Sequence, residues 1–219
     1  MLIGPVFVRE VTIVPRRPKT YVSRVVYGLV LVALISTAWL LLTGSQWVRD
    51  TGDFARFGAT LFLLLTPLQL ALATFFAAVT TAGAVAQEKD RKTLMLLLLT
   101  SLPNHELVLG KLGASLVQVM TLLAVSFPIF VLCTLFGGIS YPQIVRVYLV
   151  TIATVVAAGS LGSTIALWRE KTFQALSMTV LLLVLWVAIW EIVGLGVFGA
   201  AWGGIATSDL SAALSPWEA

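Results

Sequence analysis

Long apolar runs separated by short polar segments set the pattern of this chain. Residues 25–43 carry no charge, and roughly 19 residues at about 1.5 Å each come close to the ~30 Å hydrocarbon core of a bilayer. Apolar runs of at least that length recur at 58–85, 112–136, 144–167 (with Arg146 near its outer end) and 173–197 (with Glu191 near its outer end), so the sequence predicts five transmembrane helices. The 58–85 run is longer than the core requires, and its excess must tilt or project beyond the membrane. Pro67 is expected to kink that run, and Gln69 to face another helix rather than lipid. The third run carries Gln118 and Pro128. In the fourth run, Gly159, Ser160, Gly162 and Ser163 are small residues that allow close helix approach.

The two ends read differently. In residues 1–24, Phe7, Val11 and Val14 recur at i, i+4 and i+7, with Arg9 and Thr12 on the other side, until Pro15 and Pro18 end the pattern. A short interfacial helix followed by Arg16, Arg17, Lys19 and Arg24 is expected there; a frayed tail with chance periodicity is the plainer alternative. Residues 198–219 contain Gly199, Gly203, Gly204, Asp209 and Pro216 and are too broken for a span. Re-entrant or short surface helices on the outer side are expected instead. The connections are a polar loop at 44–57, a turn at 137–143, a very short charged loop at 168–171 and the segment 86–111. The fold class is therefore all-α: one polytopic transmembrane domain over residues 1–219.

Composition agrees with a membrane setting. The chain has 219 residues, 59% hydrophobic and 11% charged, with a mean hydropathy of +1.00. Soluble domains carry roughly 25% charged residues. The net charge of +4 is spread between apolar runs rather than gathered with aromatics, so nucleic acid is not an expected partner. It reports orientation instead. Arg9, Arg16, Arg17, Lys19, Arg24, Lys89, Arg91, Lys92, Lys111, Arg169 and Lys171 fall on one side of the predicted membrane, and Arg49, Arg56 and Arg146 on the other. Eleven against three places the N-terminus and the Glu88–Lys92 run in the cytosol, and the expected location is the cell (inner) membrane. Tyr21 and Trp168 inside, with Trp47 and Tyr141 outside, suit aromatic belts. The first run is too long for a cleavable signal and reads as a retained span. A single cysteine, Cys133, excludes an intrachain disulfide, and with His105 as the single histidine no metal cluster can be drawn. No cofactor is expected.

The segment 86–111 holds the most pointed chemistry. Five consecutive charged residues, Glu88 to Lys92, sit between two apolar runs, followed by leucines, a Pro103-Asn104 break and a new helix start. Asn104 is a good N-cap, and Glu106 in the first turn suits the positive end of a helix. The plain reading is an ordinary solvated loop; the sharper one is a contact surface for a cytosolic partner.

The run from Glu88 through Lys92-Thr93-Leu94-Met95 and the leucines, then Thr100-Ser101-Leu102-Pro103 and Glu106 to Lys111, resembles the membrane subunits of type 2 ABC exporters. Gly4 to Glu10 resembles the opening elbow helix of the same family. Lys92 stands where the family usually has glycine, and Met95 where an acid is common. The resemblance covers the elbow, including Arg9 and Glu10, and the first five of six spans; a sixth would lie beyond Ala219. It implies a permease that forms the translocation path, pairs as a homodimer or heterodimer with a second permease in the lipid bilayer, and binds a separate ATP-binding subunit. It implies further that Glu88, Lys89, Asp90, Arg91, Lys92, Thr93 and Leu94 belong to a coupling helix over 88–99, with the charged side chains toward the ATPase and leucines toward the spans.

No enzymatic site is expected in the chain itself. A phosphate-binding loop needs Gly-x-x-x-x-Gly-Lys-Ser/Thr. At the only Gly-Lys pair, Gly110-Lys111, Leu112 follows and His105 stands where the first glycine should be. Three other readings compete. Gly159-Ser160-Leu161-Gly162 superficially suggests an intramembrane serine protease, but His105 lies in the predicted cytosolic loop, away from any such serine. An ion-coupled carrier needs an ionisable group in the membrane interior, and Glu191, near the outer interface, is the sole candidate. A membrane scaffold that transports nothing is the remaining alternative.

Overall fold

The computed structural model describes residues 12, 18–45, 51–90, 104–169, 171–194, 201–202 and 205–206. Five helices carry the fold: α1 (Pro18–Ser45), α2 (Thr51–Asp90), α3 (Asn104–Leu135), α4 (Tyr141–Trp168) and α5 (Thr172–Gly194). Each contains a stretch long and apolar enough to cross a membrane, and the protein is a polytopic helical membrane protein.

Helix α2 organises the others: α3, α4 and α5 all pack against it, whereas α1 leans mainly on α3. At 40 residues α2 is about 60 Å long, twice the hydrocarbon core. A tilt of up to about 40° cannot absorb that excess, so its ends stand in water. It takes in residues 51–57, which the sequence reading left in a loop, and residues 86–90, which it left to the segment after the span. Thr51 to Phe57 is helical, with Asp53 in the first turn where its charge suits the helix dipole. At the other end the helix runs on through Gln87-Glu88-Lys89-Asp90. Glutamine, glutamate and lysine are good helix formers, and a lysine in the last turn faces the negative end of the dipole.

A second difference lies near the C-terminus. Where short helices were expected, Ala201–Trp202 (β1) and Ile205–Ala206 (β2) pair as an antiparallel ladder, Ala201 opposite Ala206 and Trp202 opposite Ile205. The intervening sequence, Gly203-Gly204, is a pair that two-residue hairpin turns favour. The ladder is too small to alter the helical class. Of the predicted elbow segment 1–24, residues 18–24 belong to α1, which thus begins before the predicted span, and Arg9 and Glu10 lie outside the described residues.

The turn between α3 and α4 is fitted closely to α2. Gly137 and Gly138 adopt positive φ (87° and 79°), and a Cβ on Gly138 would lie 2.4 Å from the Ala55 carbonyl oxygen. A Cβ on Gly58 would in turn lie 2.5 Å from the Gly137 carbonyl oxygen. Helix α4 then starts with its own cap: the Ser140 N–H donates to Gln143 Oε1 at 2.9 Å.

Core composition changes along the bundle. At the end marked by Trp39, the packing is aromatic. The Trp39 and Phe57 rings meet edge-on at 5.2 Å, and Phe57 and Phe136 at 5.3 Å. Leu31, Leu61, Leu65 and Phe130 continue this layer inward. Halfway along, Ala73, Ala77, Val119, Leu123, Val155 and Ala158 take over. At the Lys89 end, the buried cluster is Ala82, Val85, Ala86, Ala166 and Ala175.

Candidate functional site

Small residues at the Lys89 end let α2, α4 and α5 approach until backbone meets side chain. A Cβ on Gly162 would sit 2.8 Å from Thr81 Oγ1 and 3.1 Å from the Ala78 carbonyl oxygen. On Gly159 it would meet Leu116 Cδ2 at 3.0 Å and Thr81 Cγ2 at 3.2 Å. Thr81 does not compete for a partner across this contact. Its hydroxyl donates to the Ala77 carbonyl of its own helix at 2.7 Å. Thr179 on α5, fully buried, does the same to Ala175 at 2.7 Å. The small-residue stretch of α4 is thus a packing surface against α2. Ser160 faces outward and returns its hydroxyl to the Ala157 carbonyl at 2.8 Å.

Below that contact, α2 and α4 are joined by a charged link. The Lys89 ammonium donates to the Leu167 carbonyl at 2.9 Å and to the Arg169 carbonyl at 3.1 Å. The last carbonyls of a helix lack intrahelical donors and carry partial negative charge, so a lysine amine suits them on both counts. The Arg169 N–H closes the same helix end on the Ile165 carbonyl at 3.0 Å. The Arg169 guanidinium Nε reaches Met178 Sδ on α5 at 3.2 Å. One turn of α2 therefore holds the α4 terminus, and the α4 terminus touches α5. On α3, Lys111 is drawn in to 6% exposure and has an interaction partner.

These positions bear unevenly on the coupling residues expected from the sequence. Glu88, Lys89 and Asp90 form the last turn of α2 rather than the start of a separate helix. Lys89 spends two of its three donors inside the chain. The side chains of Glu88 and Asp90, and residues Arg91, Lys92, Thr93 and Leu94, lie outside the described residues. So does the side chain of Glu191, in the last turn of α5.

Beside this end, α2 and α5 leave an open apolar groove of about 580 Å³, lined by Phe75, Val79, Leu176, Val180, Leu181 and Val184. Sequence reading had no means of finding either the groove or the Lys89 link. The partners of Lys89 are backbone oxygens 78 and 80 residues away, and any residue can supply those.

Compared with known proteins, the chain matches the family model described as ABC-2 family transporter protein over residues 65–206, from the middle of α2 through β2. No curated protein and no solved structure matches it significantly.

Proposed function

Matched over more than half its length, the chain belongs to the ABC-2 transporter family and is a multi-pass membrane permease of an ABC transporter; from that premise we propose that it works as an exporter subunit driven through the Lys89 end of α2. The observation that carries this reading is the continuity of α2. One 40-residue helix runs from beyond the membrane core to Asp90, and there Lys89 ties it to α4. A push on Glu88–Asp90 moves a rod already fixed to α4 and, through Ala175, to α5, which the α4 terminus also touches at Met178.

In this reading the Lys89 end is cytosolic, a separate ABC subunit binds and hydrolyses ATP, and Glu88, Asp90, Arg91 and Lys92 face that subunit. Two permeases, alike or different, complete the translocation path. The apolar groove between α2 and α5 is compatible with a lipophilic or amphipathic substrate. A scaffold that transports nothing would need no motion along α2, and measurement separates the two. Reconstituted with the ATP-binding subunit that co-purifies with it, the permease should raise ATP turnover and move substrate; a complex with neither property is a scaffold. Orientation has its own check. In a Cys133→Ser background, single cysteines at Lys89 and Asp53 should react with impermeant reagents from opposite sides of the membrane. Labelling from one side contradicts the proposed topology.

A further inference from the structure

Halfway through the bundle lies a polar cluster that the coupling account does not use. Gln69 on α2 is fully buried, and neither its amide nitrogen nor its amide oxygen has a hydrogen-bond partner. Thr66, three residues earlier and so on the same face, leaves its hydroxyl unpartnered as well. That is unusual for this helix: Thr60, Thr74, Thr80 and Thr81 all return their hydroxyls to carbonyls one turn back. Tyr27 on α1, 4% exposed, has a buried hydroxyl without a partner. Ser126 on α3 and Tyr148 on α4 share a 2.8 Å hydrogen bond. The Tyr148 hydroxyl is close to Gln69, and the Tyr27 hydroxyl close to Ser126, yet neither contact satisfies the atoms left over.

Depth makes this arrangement costly. Counting from the ring cluster of Trp39, Phe57 and Phe136, Gln69 and Tyr27 lie 12 residues in and Ser126 ten, or about 15–18 Å along their helices. That is the middle of the hydrocarbon layer. Lipid cannot serve these groups. The neighbouring groove between α1 and α2 is lined by Val22, Val26, Val30, Leu72 and Phe76 together with Ser23 and Tyr27 itself, and acyl chains lying in it offer no donors or acceptors to the Tyr27 hydroxyl. Pro67 and Pro128 add demand, since each lacks the N–H that would have closed a helical bond, to the Leu63 and Ala124 carbonyls respectively.

We propose that Thr66, Gln69, Tyr27, Ser126 and Tyr148 form a hydration site that holds one or more water molecules at mid-membrane, between α1 and the α2–α4 bundle. Water fits the chemistry. Gln69 presents two donors and two acceptors, and the unpartnered hydroxyls of Thr66 and Tyr27 can each give or receive. Buried waters bind where such groups converge, with two to four polar partners each. A hydrated joint also suits a helix that leans mainly on one neighbour. When α1 shifts, water can exchange partners with Tyr27 and no polar atom is stranded in the bilayer.

The test is X-ray radiolytic footprinting of the intact protein in lipid nanodiscs, in which bound water is ionised in place and oxidises side chains beside it. Tyr27 and Tyr148 should be oxidised at least tenfold faster than Phe57, which is as well buried as Tyr27, and Phe75, which is more exposed than the partly buried Tyr148 and faces outward from α2. The Gln69→Leu variant should slow Tyr148 oxidation several-fold. Rates at Tyr27 and Tyr148 no higher than at Phe57 and Phe75 overturn the proposal, and the wild-type rates decide this even if the variant does not fold. Fast oxidation that Gln69→Leu leaves unchanged removes Gln69 from the site and overturns it as drawn.

Discussion

The two ends of the bundle hold together in different ways. At the Trp39 end, the helix faces meet through large side chains, with Trp39, Phe57 and Phe136 interlocking as rings backed by Phe130 against Phe62 at 5.9 Å, while backbone comes close where the Gly137-Gly138 turn meets Ala55 and Gly58 of α2. At the Lys89 end, contact is made by backbone brought close through Gly159, Gly162, Ala82, Ala86 and Ala166. In a membrane this difference matters more than in water. Lipid is as apolar as leucine, so helices gain nothing by hiding apolar area and associate through close packing and hydrogen bonds. Rings can adjust by rotating about their side-chain bonds. Helices in backbone contact have no such freedom and move together. The aromatic end is thus suited to hold α1, α2 and α3 in register, and the alanine–glycine end to pass a displacement from α2 to α4 and α5.

Substitutions can break or sharpen this contrast. The largest effect on stability should come from Gly162→Leu. Its Cβ alone would collide with Thr81 and the Ala78 carbonyl, and neither can retreat within a helix. A loss of about 3 kcal/mol is expected, at the upper end for overpacking. Thermal unfolding in detergent, followed by size-exclusion chromatography, reads it; a variant as stable as the parent would show that the ends are packed alike. Gly138→Val at the other end should cost about 2 kcal/mol, because it combines a φ of 79° with a clash at the Ala55 carbonyl. Phe57→Ala should cost about 1–2 kcal/mol, below the ~3–5 typical of aqueous cores, because lipid solvates the exposed surface of the unfolded helices. A drop as large as in a soluble protein would undo the argument that packing alone holds this end.

The smallest effect on stability should come from Lys89→Gln. The ammonium is half-buried and its two bonds lie near water, so about 1 kcal/mol or less is at stake. Its consequence should appear in function instead. Loosening the α2–α4 link should lower the transport achieved per ATP hydrolysed in proteoliposomes while ATPase binding stays intact. Unchanged coupling would mean that the link is only a helix cap.

Much of this architecture was legible before any coordinates. Hydropathy and length locate spans, because a 30 Å apolar layer imposes a pattern that few other constraints imitate. The double-glycine turn after Phe136 was visible as a break, and the small residues of α4 as a surface for close approach. What stayed hidden has physical causes. Charges at Glu88–Asp90 read as a solvated loop or as the start of a separate helix over 88–99, although Gln87, Glu88 and Lys89 are good helix formers that can extend α2 once it leaves the bilayer. Lys89 read as a residue for a partner because its carbonyl acceptors carry no side-chain signature. Gln69 was expected to face another helix, but that its amide would find no partner there depends on distances between four helices.

The central claim, that the Lys89 end of α2 receives the motion of an ATPase, is tested most directly by Glu88→Ala. Glu88 sits in the same last turn of α2 as Lys89. A charge-assisted contact in a partly desolvated groove is worth about 1.5–3 kcal/mol, which corresponds to a roughly tenfold or greater loss of affinity. The measurement is ATPase binding and permease-stimulated ATP turnover in proteoliposomes, with the membrane level of the permease as control. The account predicts normal insertion, at least tenfold weaker binding and loss of the stimulated turnover. Normal insertion with binding and turnover both unchanged would contradict it.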